Sequence, residues 1–203
     1  MNVPKTLLQM AGLEPQPAPW DQSQLVLIDC QNEYLTGALP LTGVEAALDQ
    51  CASLLAQARQ AGAPIIHVRH VGRVGGPFDP EAERGAICDA AAPSEGETTV
   101  TKTLPNAFAD TDLQAVLEDS GRKNLVVGGF MTHMCVSATV RAALDHGYTT
   151  TLVGGACATR DLPDGAGGVI KAADLHRAEL AALSDRFCGV VSSATSLAQH
   201  MSP

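Results

Sequence analysis

The sequence lacks any run of basic residues and any long apolar segment. Its 203 residues carry a formal net charge of −9, which argues against nucleic acid or an anionic membrane as a partner. No apolar run approaches the ~20 residues that a membrane-spanning helix needs. The N-terminal stretch has only a short apolar run and does not match a signal peptide, so a cytoplasmic protein is expected.

Paired cysteine motifs and nucleotide-binding loops are missing as well. The six cysteines form no CxxC pair, and several lie in apolar strand or helix patterns, which favours reduced thiols over a disulfide framework. No strand is followed by GxGxxG. Residues 165–171 resemble a phosphate loop, but Ile170 stands where glycine is required. The sequence therefore predicts no cofactor of the nucleotide type.

Strand-like and helix-like segments alternate along the whole chain. Short aliphatic runs predict strands, and 3.6-residue periodicity predicts helices between them. Such alternation gives a parallel sheet with helices on both faces. We therefore predict one α/β domain over residues 1–203, a three-layer α/β/α sandwich with a Rossmann-like, mostly parallel sheet of five or six strands. The predicted strands are residues 24–29, 63–70, 98–103, 125–127, 149–153 and 189–192, and the main helices 43–60, 111–120, 132–146 and 169–183.

Two segments fall outside this alternation. Residues 1–23 contain a short possible helix and a proline-rich stretch, and they are interpreted as an arm over the surface or over another subunit, with a frayed terminus as an equal alternative. Residues 72–92 are rich in Gly, Pro and charge. A loop of that length is typical of an active-site flap or a partner contact.

Two reactive side chains are expected at the carboxyl ends of the strands, where open parallel sheets bind ligands. Asp29 ends the first strand, and a buried acid is costly unless it is partnered or used. Cys135 lies in the first turn of the helix after residues 125–129, where the helix dipole favours a thiolate. If the first strand is central, the two emerge side by side as base and nucleophile. Taken alone, Cys135 fits a small buried apolar residue equally well.

The lysine and histidine candidates have simpler explanations. A single lysine is usually solvated, but the strand-like flanks of Lys102 favour a functional role. His67 and His70 are three residues apart on a strand, so they point to opposite faces and cannot easily share a metal. His133 could line the pocket of Cys135, although a polar residue on a first helical turn explains it more simply.

Three motifs, in order, resemble those of the isochorismatase-like cysteine hydrolases. They are DCQNEY at residues 29–34, Lys102 followed by NAF at 106–108, and GFMTHMCV at 129–136 with TVRAA at 139–143. The resemblance covers about residues 24–195. It implies a catalytic triad of Asp29, Lys102 and Cys135, a cis peptide at Phe130–Met131, and backbone donors for an oxyanion at Met131 and Cys135.

The resemblance also implies a chemistry. The Cys135 thiolate would attack the carbonyl of a small amide, carbamoyl or ureido compound and form a thioester, without a cofactor, in a homodimer or homotetramer. Nicotinamidases of this family carry an Asp-x-His metal motif after the second strand; residues 66–70 have no acid in register, so no catalytic metal is expected. Pocket residues are expected to be Gln31, Tyr34, Phe108, Phe130 and His133.

Two alternatives to C–N bond hydrolysis remain open. One is vinyl-ether hydrolysis of the isochorismatase type, although true isochorismatases lack the cysteine that is present here as Cys135. The other is a family member that only binds or assembles. A complete set of Asp29, Lys102 and Cys135 argues against it.

Overall fold

In the computed structural model the aliphatic runs form strands that pair side by side. The structure describes residues 3–201. Residues 1–2 of the predicted arm and residues 202–203 of the predicted domain lie outside the described residues. The strands are β1 (Ser23–Ile28), β2 (Ile65–His70), β3 (Thr98–Lys102), β4 (Asn124–Phe130), β5 (Thr149–Ala158), β6 (Leu162–Pro163), β7 (Val169–Ile170) and β8 (Gly189–Val191). Six of them form one sheet in the order β3-β2-β1-β4-β5-β8, with every pairing parallel. The predicted parallel sheet is confirmed.

Helices cover both faces of this sheet. They are α1 (Leu7–Met10), α2 (Val44–Gln60), α3 (Leu113–Asp119), α4 (Ser137–Asp145), α5 (Ala172–Arg186) and α6 (Ala194–Met201). Alternate residues of β1 separate the two cores: Leu25 and Leu27 pack with α2 and α6, whereas Val26 and Ile28 pack with α3, α4 and α5. Full burial of each such side chain contributes about 1.5–3 kcal/mol. The predicted three-layer sandwich is confirmed.

The central position of β1 sets where a site can form. β1 lies between β2 and β4, and the winding of the chain reverses at the β1–β4 pair. Ligands of open parallel sheets bind beyond the carboxyl ends of the strands at such a reversal. Residues that follow β1 and β4 therefore meet at one edge of the sheet.

The predicted ends of two strands are wrong. Gly128 and Gly129 were expected to end β4, and Gly154 and Gly155 to end β5, but both strands continue through their glycines. The glycines instead allow close packing of strands. A Cβ on Gly129, whose φ is 122°, would lie 2.0 Å from the carbonyl oxygen of Ile28.

Two helix starts also differ from the prediction. Residues 169–170 form β7, paired antiparallel with β6, and α5 begins only at Ala172, whose N–H donates to Asp161 Oδ1. The helix expected from Thr132 begins as one π-helical turn, Thr132–Val136, before α4. Cys135 lies in this π-helical turn.

The arm and the long loop both pack against their own chain. The N–H of Leu7 in the arm donates to Asp185 Oδ1 of α5, at 2.7 Å, and Leu8 is buried. The loop at residues 72–92 contains two short 3-10 turns and buries Phe78 against the ring of Tyr34. Across residues 3–201, no helix has both the length and the apolar character that crossing a bilayer requires.

Candidate active site

Lys102 connects the two reactive side chains that the sequence predicts. Its Nζ lies 2.7 Å from Oδ2 of Asp29 and 3.3 Å from Sγ of Cys135. The side chains of Asp29 and Lys102 are fully buried, and Cys135 is 6% exposed. A carboxylate, an ammonium and a thiol therefore converge at the carboxyl ends of β1, β3 and β4.

A backbone kink at the end of β1 holds Asp29 in this position. Asp29 has a φ of 52°, a left-handed conformation that is uncommon for residues other than glycine. Its N–H donates to the carbonyl of Val68, and its own carbonyl accepts from the N–H of Gln31. Such outliers persist where the surrounding structure fixes them, and they concentrate at functional sites.

Burial raises the pKa of both acidic groups. Burial raises the pKa of Asp29 above its usual value, against the opposing effect of Lys102. Burial also raises the pKa of the Cys135 thiol to about 12, and the nearby charge of Asp29 adds to this, while Lys102 lowers it. The expectation of a lowered pKa at Cys135 is therefore wrong, because the loss of hydration on burial is the largest effect and raises the pKa.

Three of the predicted pocket residues lie close to this cluster. The ring of Tyr34 packs edge-on against Phe78 and Phe130, with centroids 5.2 and 5.7 Å apart. Gln31 is buried, and its side-chain amide bonds to both backbone groups of His70 and to the carbonyl of Gly85. These contacts make Gln31 a support of the pocket wall, and its direct contact with substrate stays a prediction.

The other two predicted pocket residues differ in placement. His133 is half-buried, and its Nδ1 lies 2.6 Å from Oγ1 of Thr159, beyond the end of β5. Phe108 stacks on His146, at 4.5 Å between centroids, and this contact lies past the carboxyl end of α4. Cys135 precedes the amino end of that helix. The structure therefore does not bring Phe108 to Cys135, and its role in binding stays a prediction.

Sequence reasoning missed two polar residues at the same edge of the sheet. His70, the last residue of β2, places its Nδ1 3.2 Å from Lys102 Nζ. Arg160 follows β5; its Nε is buried without a partner among residues 3–201, and its charge lowers the pKa of His133, after the larger effect of burial. The rule that predicted Asp29, a polar residue at the end of a buried strand, would have found both.

Comparison with known proteins identifies the family of the chain. Residues 23–195 match the family model described as the isochorismatase domain. The chain belongs to the isochorismatase family. A secreted isochorismatase effector of Verticillium dahliae is 40% identical over 185 residues, which cover 91% of this chain and 95% of that protein.

Solved and characterised members of the isochorismatase family support the same assignment. The crystal structure of an isochorismatase from Pseudomonas putida superposes with a TM-score of 0.91 at 46% identity, covering 95% of this chain and 99% of that one. A maleamate amidohydrolase of Pseudomonas putida is 32% identical, over 71% of this chain and 73% of its own length. The family thus includes amidohydrolases that act on C–N bonds.

Other features of the isochorismatase-family site can be located on this chain. The peptide bond between Phe130 and Met131 is cis. Within residues 3–201, no group of three or more His, Cys, Asp or Glu side chains is arranged to hold a metal ion. His67 instead contacts Glu97 at 2.8 Å, while His70 contacts Lys102. The expectation of no catalytic metal stays a prediction.

Proposed function

We propose that the protein is a cysteine-dependent hydrolase of the C–N bond in a small amide, carbamoyl or ureido compound. The observation that carries this proposal is the contact of Lys102 Nζ with both Asp29 and Cys135. A nucleophile, a base and a cation that stabilises the anionic forms of both are the groups that thiol-based acyl transfer requires. Homology to amidohydrolases supports the bond class.

Proton transfer within the buried cluster starts the reaction. Asp29 accepts the thiol proton of Cys135 when substrate binds, and the thiolate attacks the carbonyl carbon. The backbone N–H groups of Met131 and Cys135 hold the oxyanion. Protonated Asp29 then gives its proton to the leaving nitrogen, so the C–N bond breaks and a thioester remains. A water molecule, deprotonated by Asp29, attacks the thioester, and the proton returns to Cys135 as the acid product leaves.

The raised pKa of Asp29 suits this double role. A carboxyl group with an ordinary pKa near 4 is a weak base at neutral pH and a poor source of protons for a leaving amine. Burial moves the pKa of Asp29 upward, toward the pH at which it must both accept and give a proton. Lys102 keeps the ionised form accessible, because its ammonium lies 2.7 Å from the carboxylate.

Two other functions remain to be separated from this one. Vinyl-ether hydrolysis would leave the Cys135 thiol without a covalent role, although the thiol lies 3.3 Å from Lys102 Nζ. A non-catalytic binding protein would have no reason to keep a fully buried Asp29–Lys102 pair, since such pairs are often replaced by apolar residues without loss of stability.

The experiment is a screen for ammonia release over a panel of small amides and ureas, followed by variants of the thiol. Cys135→Ala and Cys135→Ser should lose at least about 10³-fold in kcat/KM, because the covalent route is gone. Cys188→Ala is the matched control, since Cys188 is also buried but lies just before β8, at the opposite end of the strands. Mass spectrometry of rapidly quenched parent enzyme should detect the acyl adduct on Cys135.

Two outcomes would contradict the proposal. A Cys135→Ala variant that keeps activity within tenfold of the parent would exclude the thioester. A parent protein that releases no ammonia from the panel but hydrolyses isochorismate would favour the ether reaction.

We also propose a homo-oligomer. Met134, next to Cys135, is 41% exposed, and Val169 in β7 is 57% exposed. Single exposed apolar side chains are ordinary on a protein surface, so the proposal depends mainly on the family resemblance, which implies dimers or tetramers. Light scattering at micromolar concentration should give a mass of at least twice the 21.0 kDa of one chain, and a monomer mass would refute the proposal.

A further inference from the structure

Lys102 has a third partner besides Asp29 and Cys135. Its Nζ lies 3.2 Å from Nδ1 of His70. An ammonium group has three donors and no acceptor, and three acceptors surround this one: the Asp29 carboxylate, the Cys135 sulfur and the His70 ring. His70 and the Cys135 sulfur therefore contact the same atom, Lys102 Nζ.

This contact fixes the tautomer of His70. Because lysine can only donate, Nδ1 of His70 must accept, and the ring proton of the neutral imidazole must be on Nε2. The ring is neutral at pH 7, since burial and the charge of Lys102 lower the pKa of His70 to about 4. The result is a neutral N–H donor of defined position.

The N–H donor of His70 is held rigidly. Gln31 holds the backbone of His70 on both sides: its Oε1 accepts from the His70 backbone N–H at 2.8 Å, and its Nε2 donates to the His70 backbone carbonyl at 2.9 Å. Phe78 packs edge-on against the imidazole ring, with centroids 5.0 Å apart. Donors that are fixed before binding lose little entropy when a ligand arrives.

Nε2 itself has no partner in the part of the chain from residue 3 to residue 201. His70 is only half-buried. Its Nε2 is not among the buried side-chain atoms that lack a partner, so this unpartnered nitrogen is accessible to solvent. Nε2 therefore lies on the open side of the ring, with the Lys102 contact on the other side.

We propose that the Nε2–H of His70 donates a hydrogen bond to a second oxygen of the substrate, in addition to the carbonyl that Cys135 attacks. This rests on the proposed function, and it specifies the substrate as a small amide that also carries a carboxylate or another carbonyl.

Two substitutions separate this role from simple support of Lys102. In His70→Asn the side-chain oxygen can replace Nδ1 as the acceptor for Lys102, but the Nε2 donor is lost. In His70→Gln the side-chain nitrogen can reach the position of Nε2, but the geometry at Lys102 is lost. The probes are succinamate and butyramide, which have the same four-carbon amide and differ in that only succinamate carries a carboxylate.

The inference predicts an asymmetric result. With succinamate, His70→Asn should raise KM by about ten- to hundred-fold, the effect of losing one hydrogen bond to a charged group, while His70→Gln stays within about threefold. With butyramide the KM should change little in either variant, because this compound has no second oxygen for Nε2, and any loss through the altered contact with Lys102 should appear in kcat on both probes. A larger rise in the KM for succinamate in the Gln variant, equal rises in both variants, or equal rises in KM on both probes would overturn the inference.

A binding measurement keeps this test separate from the proposed chemistry. In the Cys135→Ser variant, labelled with ¹⁵N, succinamate should shift the Nε2 resonance of His70 and butyramide should not, whether or not the parent turns either compound over. If the His70 ring carries its proton on Nδ1, or if succinamate leaves Nε2 unshifted, the inference fails. Absence of any ammonia release from the panel counts against the proposed function instead.

Discussion

Replacing Lys102 by methionine should destabilise the fold strongly, whatever the protein catalyses. Methionine has a similar length and no charge, so the substitution leaves the Asp29 carboxyl buried without its cation. The pair is fully buried, with Nζ and Oδ2 2.7 Å apart. Removing one partner of a buried ion pair costs about 3–5 kcal/mol. Such a loss is a large part of the ~5–15 kcal/mol that stabilises a typical domain.

The loss should depend on pH, and its sign follows from Asp29. Lys102 lowers the pKa of Asp29, so the variant has an even higher folded-state pKa than the parent. A carboxyl group whose pKa is raised by folding binds more protons in the native state, and its stability contribution falls as pH rises, by up to about 1.4 kcal/mol per unit. The difference between parent and variant should therefore be smallest near pH 4 and increase toward pH 8.

The assay is urea denaturation of parent and variants at pH 4, 6 and 8. Lys171→Met is the matched control, because Lys171 pairs with Asp161 at a similar distance, 2.9 Å, but is 69% exposed; exposed pairs contribute less than about 1 kcal/mol. The double variant Asp29→Asn with Lys102→Met should recover much of the loss. A loss below about 1 kcal/mol at pH 8, without pH dependence, would refute the buried pair.

Three further predictions test the site and its supports. The kcat/KM should fall on the acid side with an apparent pKa above 3.8, because the raised pKa of Asp29 means that the base is protonated earlier as pH decreases; a limb below 3.8 in a pH–rate profile would exclude Asp29 as the base. Gly129→Ala should lower the free energy of unfolding by more than about 3 kcal/mol, because the added Cβ would lie 2.0 Å from a backbone oxygen. Gly121→Ala is the control: Gly121 has a φ of 69° but lies in open space, so the loss in urea denaturation should be only about 1 kcal/mol. Glu97 accepts from Arg59 and the Ser94 N–H, and its pKa is lowered to about 2. Glu97→Gln should therefore destabilise by about 2 kcal/mol at pH 7, and this loss should shrink as pH falls toward about 2, where half of the parent's Glu97 is already protonated. A loss in urea denaturation that is constant with pH would contradict this.

The layers of the fold could be predicted because burial on both faces leaves a direct pattern in the sequence. The continuous aliphatic run of β1 and the apolar stripe of α2 each need a partner surface. The ends of β4 and β5 could not be predicted, because glycine signals a turn and a close approach of backbones equally. Only the neighbouring strand decides which of the two applies, as the Ile28 carbonyl does at Gly129.

The candidate site divides in a similar way. Asp29 and Cys135 follow from the rule that ligand sites form at strand ends. The strand-like flanks of Lys102 indicate a role, but its place beside Asp29 and Cys135 needed the family motifs, because no local pattern tells where a lysine at the end of an edge strand points. The direction of the Cys135 pKa shift was wrong because the helix dipole is a local property, whereas the burial that raises the pKa comes from the packing of distant segments. His70 was assessed only as a metal ligand, and its contact with Lys102 depends on the pairing of β2 with β3.

The raised pKa of Cys135 is compatible with catalysis because Asp29 is raised by the same cause. The cost of moving a proton between two groups depends on the difference of their pKa values, and burial raises both of them. In the proposed mechanism Asp29 and Cys135 share one proton beside one ammonium, so the cluster would keep the same net charge whichever group holds the proton. Lys102 contacts both groups, at 2.7 and 3.3 Å, and therefore stabilises the carboxylate before the transfer and the thiolate after it. At neutral pH the substrate-free protein therefore holds Cys135 as a protonated thiol, which is less readily oxidised than a thiolate.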